Sequence, residues 1–136
     1  RFSGILAETT AIQAAKLADQ SVDLAQGNVH YFTTNGTGAT TAAIKYKGGN
    51  NLSAYMKVGE NISVSIISKP NNAEYVNAVT IDGGAVTEYW SGGTPTGLSG
   101  AASTFTITTV NITRVASTGT PNSDYLVLCA ATNYET

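Results

Sequence analysis

Charge is what this chain has least of. Asp, Glu, Lys and Arg make up 12% of its 136 residues, about half the roughly 25% usual in soluble domains. Seven basic residues stand against nine acids, a formal net charge of -2. The basic ones are scattered: Arg1, Lys16, Lys45, Lys47, Lys57, Lys69 and Arg114. Lys45 and Lys47 flank Tyr46 at strand spacing, but two lysines do not make a phosphate-tracking stripe, so nucleic acid is not an expected partner. The single cysteine, Cys129, rules out an internal disulfide. Set within Tyr125–Ala131, it reads as a small buried hydrophobe. The single histidine, His30, lacks the second imidazole or carboxylate cluster that a metal site requires, so no metal or cofactor is expected. No apolar run approaches the roughly 18 residues of a spanning helix, so no membrane partner is expected. The first residues show no secretory leader pattern. The chain begins at Arg1, as a processed product or a piece of a longer chain would.

What the chain has instead is Thr, Ser, Asn and Gly. With so few charges, these neutral groups must cover its surface. Two situations suit such a surface: shielding by neighbouring subunits, or export. The first is favoured, because contact surfaces deplete charge. The length suits one domain with one modest core.

Residues 1–27 differ from the rest. Glu8 to Asp19 is Ala-rich enough for a short helix, yet Ile5, Ile12, Leu17, Val22 and Leu24 form no helical stripe. An extended N-terminal arm that packs its aliphatics on a neighbour is the favoured alternative. Its expected assembly contacts are Ile5, Leu6, Ile12 and Leu17.

From Asn28 the pattern turns to β, and residues 28–136 are expected to form the domain. Val29–Thr34, Ala42–Lys47, Leu52–Val58, Ile62–Ser68, Tyr75–Ile81, Ala85–Trp90, Thr104–Thr113 and Tyr125–Ala131 read as strands. Ile62, Val64 and Ile66 alternate with serines, as a half-buried strand requires. Asp82-Gly83-Gly84 reads as a hairpin turn. In Thr104–Thr113 the apolar parity switches between Ile107 and Val110, which predicts a bulge near Thr108-Thr109. Tyr125–Ala131 is apolar on both faces and is expected centrally or at a subunit contact. About eight strands with closely spaced turns predict an all-β, antiparallel β-sandwich or jelly-roll-like fold.

Candidate chemistry is thin. His30 and Cys129 would have to meet in space to form a nucleophile pair. Asp82 and Glu88 flank one hairpin, where a glycosidase would need two acids across a cleft, but turn shaping explains Asp82 equally well. No catalytic residue is therefore expected. Tyr89 and Trp90, beside a Gly/Ser loop, are the candidate ligand-facing pair, because aromatic platforms stack on sugars. The competing reading has Trp90 plugging the core or a subunit contact. The loops Trp90–Ser103 and Asn35–Thr40 are expected to face a partner or solvent.

Ile81-Asp82-Gly83, then Trp90-Ser91-Gly92-Gly93-Thr94-Pro95, then Thr104-Phe105-Thr106-Ile107 resemble virion structural proteins of marine tailed bacteriophages, cyanophages especially. Leu17-Ala18-Asp19-Gln20, Val22-Asp23-Leu24, Gly27-Asn28-Val29-His30-Tyr31-Phe32-Thr33 and Gly59-Glu60-Asn61-Ile62-Ser63-Val64-Ser65 are similar as well. The resemblance spans roughly residues 5 to 110 and lapses after Arg114. It implies a non-enzymatic virion component, such as capsid decoration, head fibre, tail fibre or a tail-associated part. The implied partners are other virion proteins and further copies of the chain, as a homo-oligomer and in particular a trimer. The alternative implied role is a receptor- or glycan-binding module of a fibre.

Overall fold

The chain is mostly β, and its ten described strands divide between two sheets that share one core. The structure is a computed structural model; it describes residue 4 and residues 7–34, 36–68, 74–96 and 105–134. In chain order the strands are β1 (Thr10–Gln13), β2 (Val22–Asp23), β3 (Val29–Phe32), β4 (Ala39–Lys45), β5 (Asn61–Ser68), β6 (Tyr75–Ile81), β7 (Gly84–Ala85), β8 (Glu88–Trp90), β9 (Phe105–Arg114) and β10 (Tyr125–Tyr134). Two single helical turns interrupt them, α1 (Leu52–Tyr55) and α2 (Pro121–Asp124).

The larger sheet runs β1-β3-β5-β9-β10-β8 and the smaller β2-β4-β6-β7. Neither is purely antiparallel, which corrects the expected architecture. The pairs β1–β3, β3–β5, β8–β10, β2–β4 and β4–β6 are parallel; β5–β9, β9–β10 and β6–β7 are antiparallel. From β1 to β6 the chain alternates between the two sheets at every strand, and such crossovers bring strands back in the same direction.

The described part of residues 1–27 is built into this fold rather than set apart from it. Leu17, Val22 and Leu24 belong to the same core cluster as Phe32, Ile44, Val64, Ile66, Ile81, Ile112 and Val127. The missing helical stripe has a simple cause. Ile12 lies on β1, Leu17 and Leu24 on separate 3-10 turns, and Val22 on β2. Each side chain follows the geometry of a different element. Leu17 is 1% exposed, so it cannot reach a neighbouring chain; Ile12 is 71% exposed. Ile5 and Leu6 lie outside the described residues.

Leu52 to Val58 is not a strand. It opens as α1, whose N–H groups at Leu52 and Ser53 are received by the Asp82 carboxylate at 2.9 and 3.0 Å. Such capping selects the helical turn over the local β propensity.

The bulge expected at Thr108-Thr109 is absent. The pairing of β9 with β10 is continuous from Arg114↔Tyr125 to Phe105↔Tyr134. Thr106 and Thr108 are buried in line with Val110 and Ile112, so the buried face keeps one parity. Threonines hold buried positions that the alternation assigns to apolar residues. The irregularity falls instead between β4 and β6, where Thr40 pairs with Val76 but Thr41 with Ala78. That extra residue explains how Val76 and Val79, of opposite parity, are both buried.

The hairpin turn is where the sequence places it. Ile81 pairs with Gly84, and the two residues between them, Asp82 and Gly83, have φ of 51° and 78°. Positive φ at both positions is the type I′ geometry that Asp-Gly favours.

Candidate functional site

The ionisable side chains come first, because any chemistry would need them. Asp23 accepts hydrogen bonds from the backbone N–H of Ala25, Lys47 and Gly48. Asp82 caps α1. Asp124 accepts from the N–H and hydroxyl of Thr118 at 2.6 and 2.7 Å and from Gly119 N–H at 3.0 Å. These bonds hold its carboxyl below the usual carboxylate range. Glu88 accepts from Val79 N–H at 2.6 Å, a link from β8 in the larger sheet to β6 in the smaller. Asp82 and Glu88 are thus each committed to backbone donors in different elements.

Arg114 is buried under α1 and donates to the carbonyls of Ser53 and Met56, to Ala116 O, and to the Ser117 hydroxyl. It lines a cavity of about 470 Å³ with Asp82, Asp124 and Tyr125. Both aspartates and the guanidinium are engaged as described, so this cavity is a junction that ties turns together. The Tyr125 hydroxyl is buried there without a hydrogen-bond partner.

His30 is fully buried. Its Nε2 lies 2.9 Å from Gly27 O and its Nδ1 3.2 Å from Gln13 Nε2. Those partners assign the neutral tautomer with the proton on Nε2, donating to the carbonyl. Burial lowers its pKa. Cys129 is buried too, and burial pushes its thiol up to about 12. The two are not brought together: β5 and β9 separate their strands, placing them at least about 14 Å apart at the usual strand spacing. Among the described residues, no three His, Cys, Asp or Glu side chains form a group that can hold a metal ion. Among the same residues, no helix is long and apolar enough to cross a membrane.

The expected aromatic platform separates into two residues with different surroundings. On β8, Glu88, Tyr89 and Trp90 pair with Val127, Leu128 and Cys129 of β10. Side chains alternate along a strand, so Trp90 turns inward and Tyr89 outward. Trp90 packs against the core with its Nε1 buried and unpartnered. This position matches the plug reading, not a stacking platform, whereas Tyr89 is 58% exposed. Of the loops expected to face a partner, residues 97–103 and Asn35 lie outside the described residues.

A second aromatic site, not singled out in the sequence, lies beside α1. Tyr46 and Tyr55 have ring centroids 4.1 Å apart at 48°. They wall a cleft of about 310 Å³ floored by Leu24, Leu52, Met56 and Ile62, with Asn28, Glu60 and Asn61 at its rim. Lys47 Nζ donates to the Tyr55 hydroxyl at 2.8 Å. The sequence hides this site because the turn Lys47-Gly48 and the helical turn α1 bring the two tyrosines together.

The most extensive feature is the outer face of the larger sheet. Successive pairings define a row across five strands: Ile12 opposite Tyr31, Tyr31 opposite Ile67, Ile67 opposite Ile107, and Ile107 opposite Thr132. Phe105 and Tyr134 pair beside this row, and Phe105 lies 6.2 Å from the Tyr31 ring. Toward the other end of the strands the face is polar but neutral. There Asn61 Nδ2 donates to Asn111 Oδ1 and Thr113 Oγ1, and Asn111 Nδ2 donates to Asn61 Oδ1 and Ser63 Oγ. Tyr89, Leu128 and Leu126 complete the side toward β8. Within the described strands of this sheet, no Asp, Glu, Lys, Arg or His lies on this face. Within the larger sheet's strands His30, Glu88, Arg114 and Cys129 alternate inward. Compared with known proteins, the chain matches no family model, no curated protein and no solved structure.

Proposed function

We propose that this chain is a non-enzymatic structural subunit of a phage particle, an outer capsid or tail-associated component present in several copies. The observation that carries the reading is the uncharged outer face of the larger sheet. Exposed sheet faces in free-standing domains carry charge for solubility, and a contiguous neutral face bearing Ile12, Tyr31, Phe105 and Tyr134 is the composition of a contact surface. The commitment of Asp23, Asp82, Asp124 and Arg114 to backbone groups supports the same reading, since those side chains brace turns. In this proposal the two sheets face each other as a sandwich around their common core. The resemblance in sequence to virion structural proteins supplies the location on a particle, with other virion proteins and further copies, a trimer included, as partners.

The test is location. Purified particles of a phage encoding this chain are analysed by mass spectrometry, and the chain is labelled for particle reconstruction. The expected result is stoichiometric presence with label density at the outer shell or tail. Finding the chain only in the soluble fraction of the lysate overturns the reading.

The cleft walled by Tyr46 and Tyr55 favours a second reading, a fibre module that binds a host-surface glycan. An apolar floor with a polar rim suits one pyranose ring. Binding on a glycan array that Tyr55→Ala abolishes would support it; an array at background would remove it.

A further inference from the structure

We propose that the outer face of the larger sheet pairs two copies of this chain face to face about a two-fold axis, with Ile67 at the centre of the contact. The inference rests on the subunit reading above and specifies one of its contacts.

Three features select a second copy as the occupant. The first is charge. In a two-fold contact each side chain meets itself or a symmetry mate, so any ion near the axis meets its like. A face whose described strands present no Asp, Glu, Lys, Arg or His satisfies this condition wherever the axis falls, and it offers a charged partner nothing to complement.

The second is layout. The apolar row and the Asn–Thr network lie side by side across the same strands. A two-fold axis along β5, in the plane between the two faces, keeps each residue's height along the strand, so it lays the apolar row on the apolar row and Asn61 on Asn61. The amides of Asn61 and Asn111 already bond to each other and to neighbouring hydroxyls, so covering them leaves few orphaned polar groups. Ile67 lies on β5, midway along the row between Ile12 and Thr132. It therefore meets its own copy whether the axis runs along the row or along the strand.

The third is area. Three of the six strands, β5, β9 and β10, run 8 to 10 residues and the other three only 3 or 4; at about 3.3 Å per residue and about 4.8 Å between strands they project onto roughly 600 Å². Side chains stand in relief on that projection, which brings the accessible surface near the roughly 800 Å² per partner of a standard interface.

The experiment is sedimentation analysis of the purified full chain, wild type and variants, at micromolar concentration. The wild type is expected to be dimeric. Ile67→Lys and Ile67→Glu should each weaken association at least about tenfold by opposing like charges, and an equimolar mixture of the two should restore the dimer as a mixed pair. Ile12→Lys, on an exposed edge position, is the second variant and should weaken the dimer without loss of fold by circular dichroism. A wild-type monomer, a trimer, a dimer indifferent to these substitutions, or a mixture that stays monomeric overturns the proposal. None of those outcomes removes the chain from a particle, so the failure of this contact is distinguishable from failure of the subunit reading.

Discussion

The carboxylate of Asp82 receives the backbone N–H of Leu52 at 2.9 Å, joining a hairpin turn to a helical turn thirty residues earlier in the chain. Asp82 has φ of 51°, a conformation that Asn, Asp and Gly adopt most readily. One residue therefore serves two purposes, turn and cap. Asp82→Ala should destabilise the fold by about 1–2 kcal/mol in urea melts through the lost cap, with added strain at the turn. Asp82→Gly relieves the strain but not the cap, so it should fall between wild type and Ala. Equal stability of all three would show that the cap contributes nothing.

Glu74 is 1% exposed, and neither of its carboxyl oxygens has a hydrogen-bond partner. Burial raises its pKa above 4.5, with Lys16 opposing and Asp19 adding to the shift. The native state then binds more protons than the unfolded state between 4.5 and the raised value. Stability should therefore fall as pH rises through that window. Glu74→Gln, neutral at every pH, should flatten this slope. An unchanged slope would place the effect elsewhere. The carboxyl packs against Gly36, where a Cβ would sit 1.6 Å from Oε2. Gly36→Ala should accordingly destabilise the wild type more than it destabilises a Glu74→Ala background.

His30 works in the opposite direction. Its pKa is lowered from 6.5 by burial, so the unfolded state takes up the proton first as pH falls. Stability should decline below about pH 6.5. An NMR titration of the ring should give a midpoint below that of a free histidine, and His30→Gln should remove this part of the acid sensitivity. A midpoint at or above 6.5 would contradict the buried, neutral assignment.

The elements legible in the sequence are those whose pattern is local. Alternation of Ile62, Val64 and Ile66 marked β5, and Asp82-Gly83 marked the hairpin. Strand direction was not legible. It follows from which sheet the chain enters next, and no local period records that. The helical turn α1 escaped because its cap, Asp82, is distant in sequence. β9 misled because Thr106 and Thr108 are buried, and a β-branched hydroxyl residue reads as solvent-facing. Of the expected contact residues, Leu17 was misplaced for a related reason: an isolated leucine without a periodic neighbour looks available, yet the 3-10 turn at Leu17–Asp19 delivers it to the core. The neutral face was foreshadowed only in the low charge content. Its apolar row is assembled from five strands and exists only once their register is known.

Cys129, whose thiol is pushed up to about 12 by burial, should not react with a thiol reagent in the native state at neutral pH. Labelling should proceed only through opening, at a rate that tracks stability across the Asp82 variants. Rapid labelling of the folded chain would show that β10 opens locally and that the inner face there is not sealed.

Tyr89 and Trp90 are adjacent in sequence and opposite in consequence. Trp90 packs on the core beside Cys129, so Trp90→Ala should lower stability by about 2–3 kcal/mol. Its Nε1 lacks a partner, so Trp90→Phe should cost less, because it deletes an unsatisfied donor along with part of the ring. Tyr89 lies outward against Leu128 and is mostly exposed, so Tyr89→Ala should shift the urea midpoint little. Its effect should appear instead in sedimentation, as weaker association of a normally folded chain. If Tyr89→Ala unfolds the protein while Trp90→Ala leaves it stable, the alternation along β8 is inverted, and the face assigned to the solvent side of the larger sheet is the wrong one.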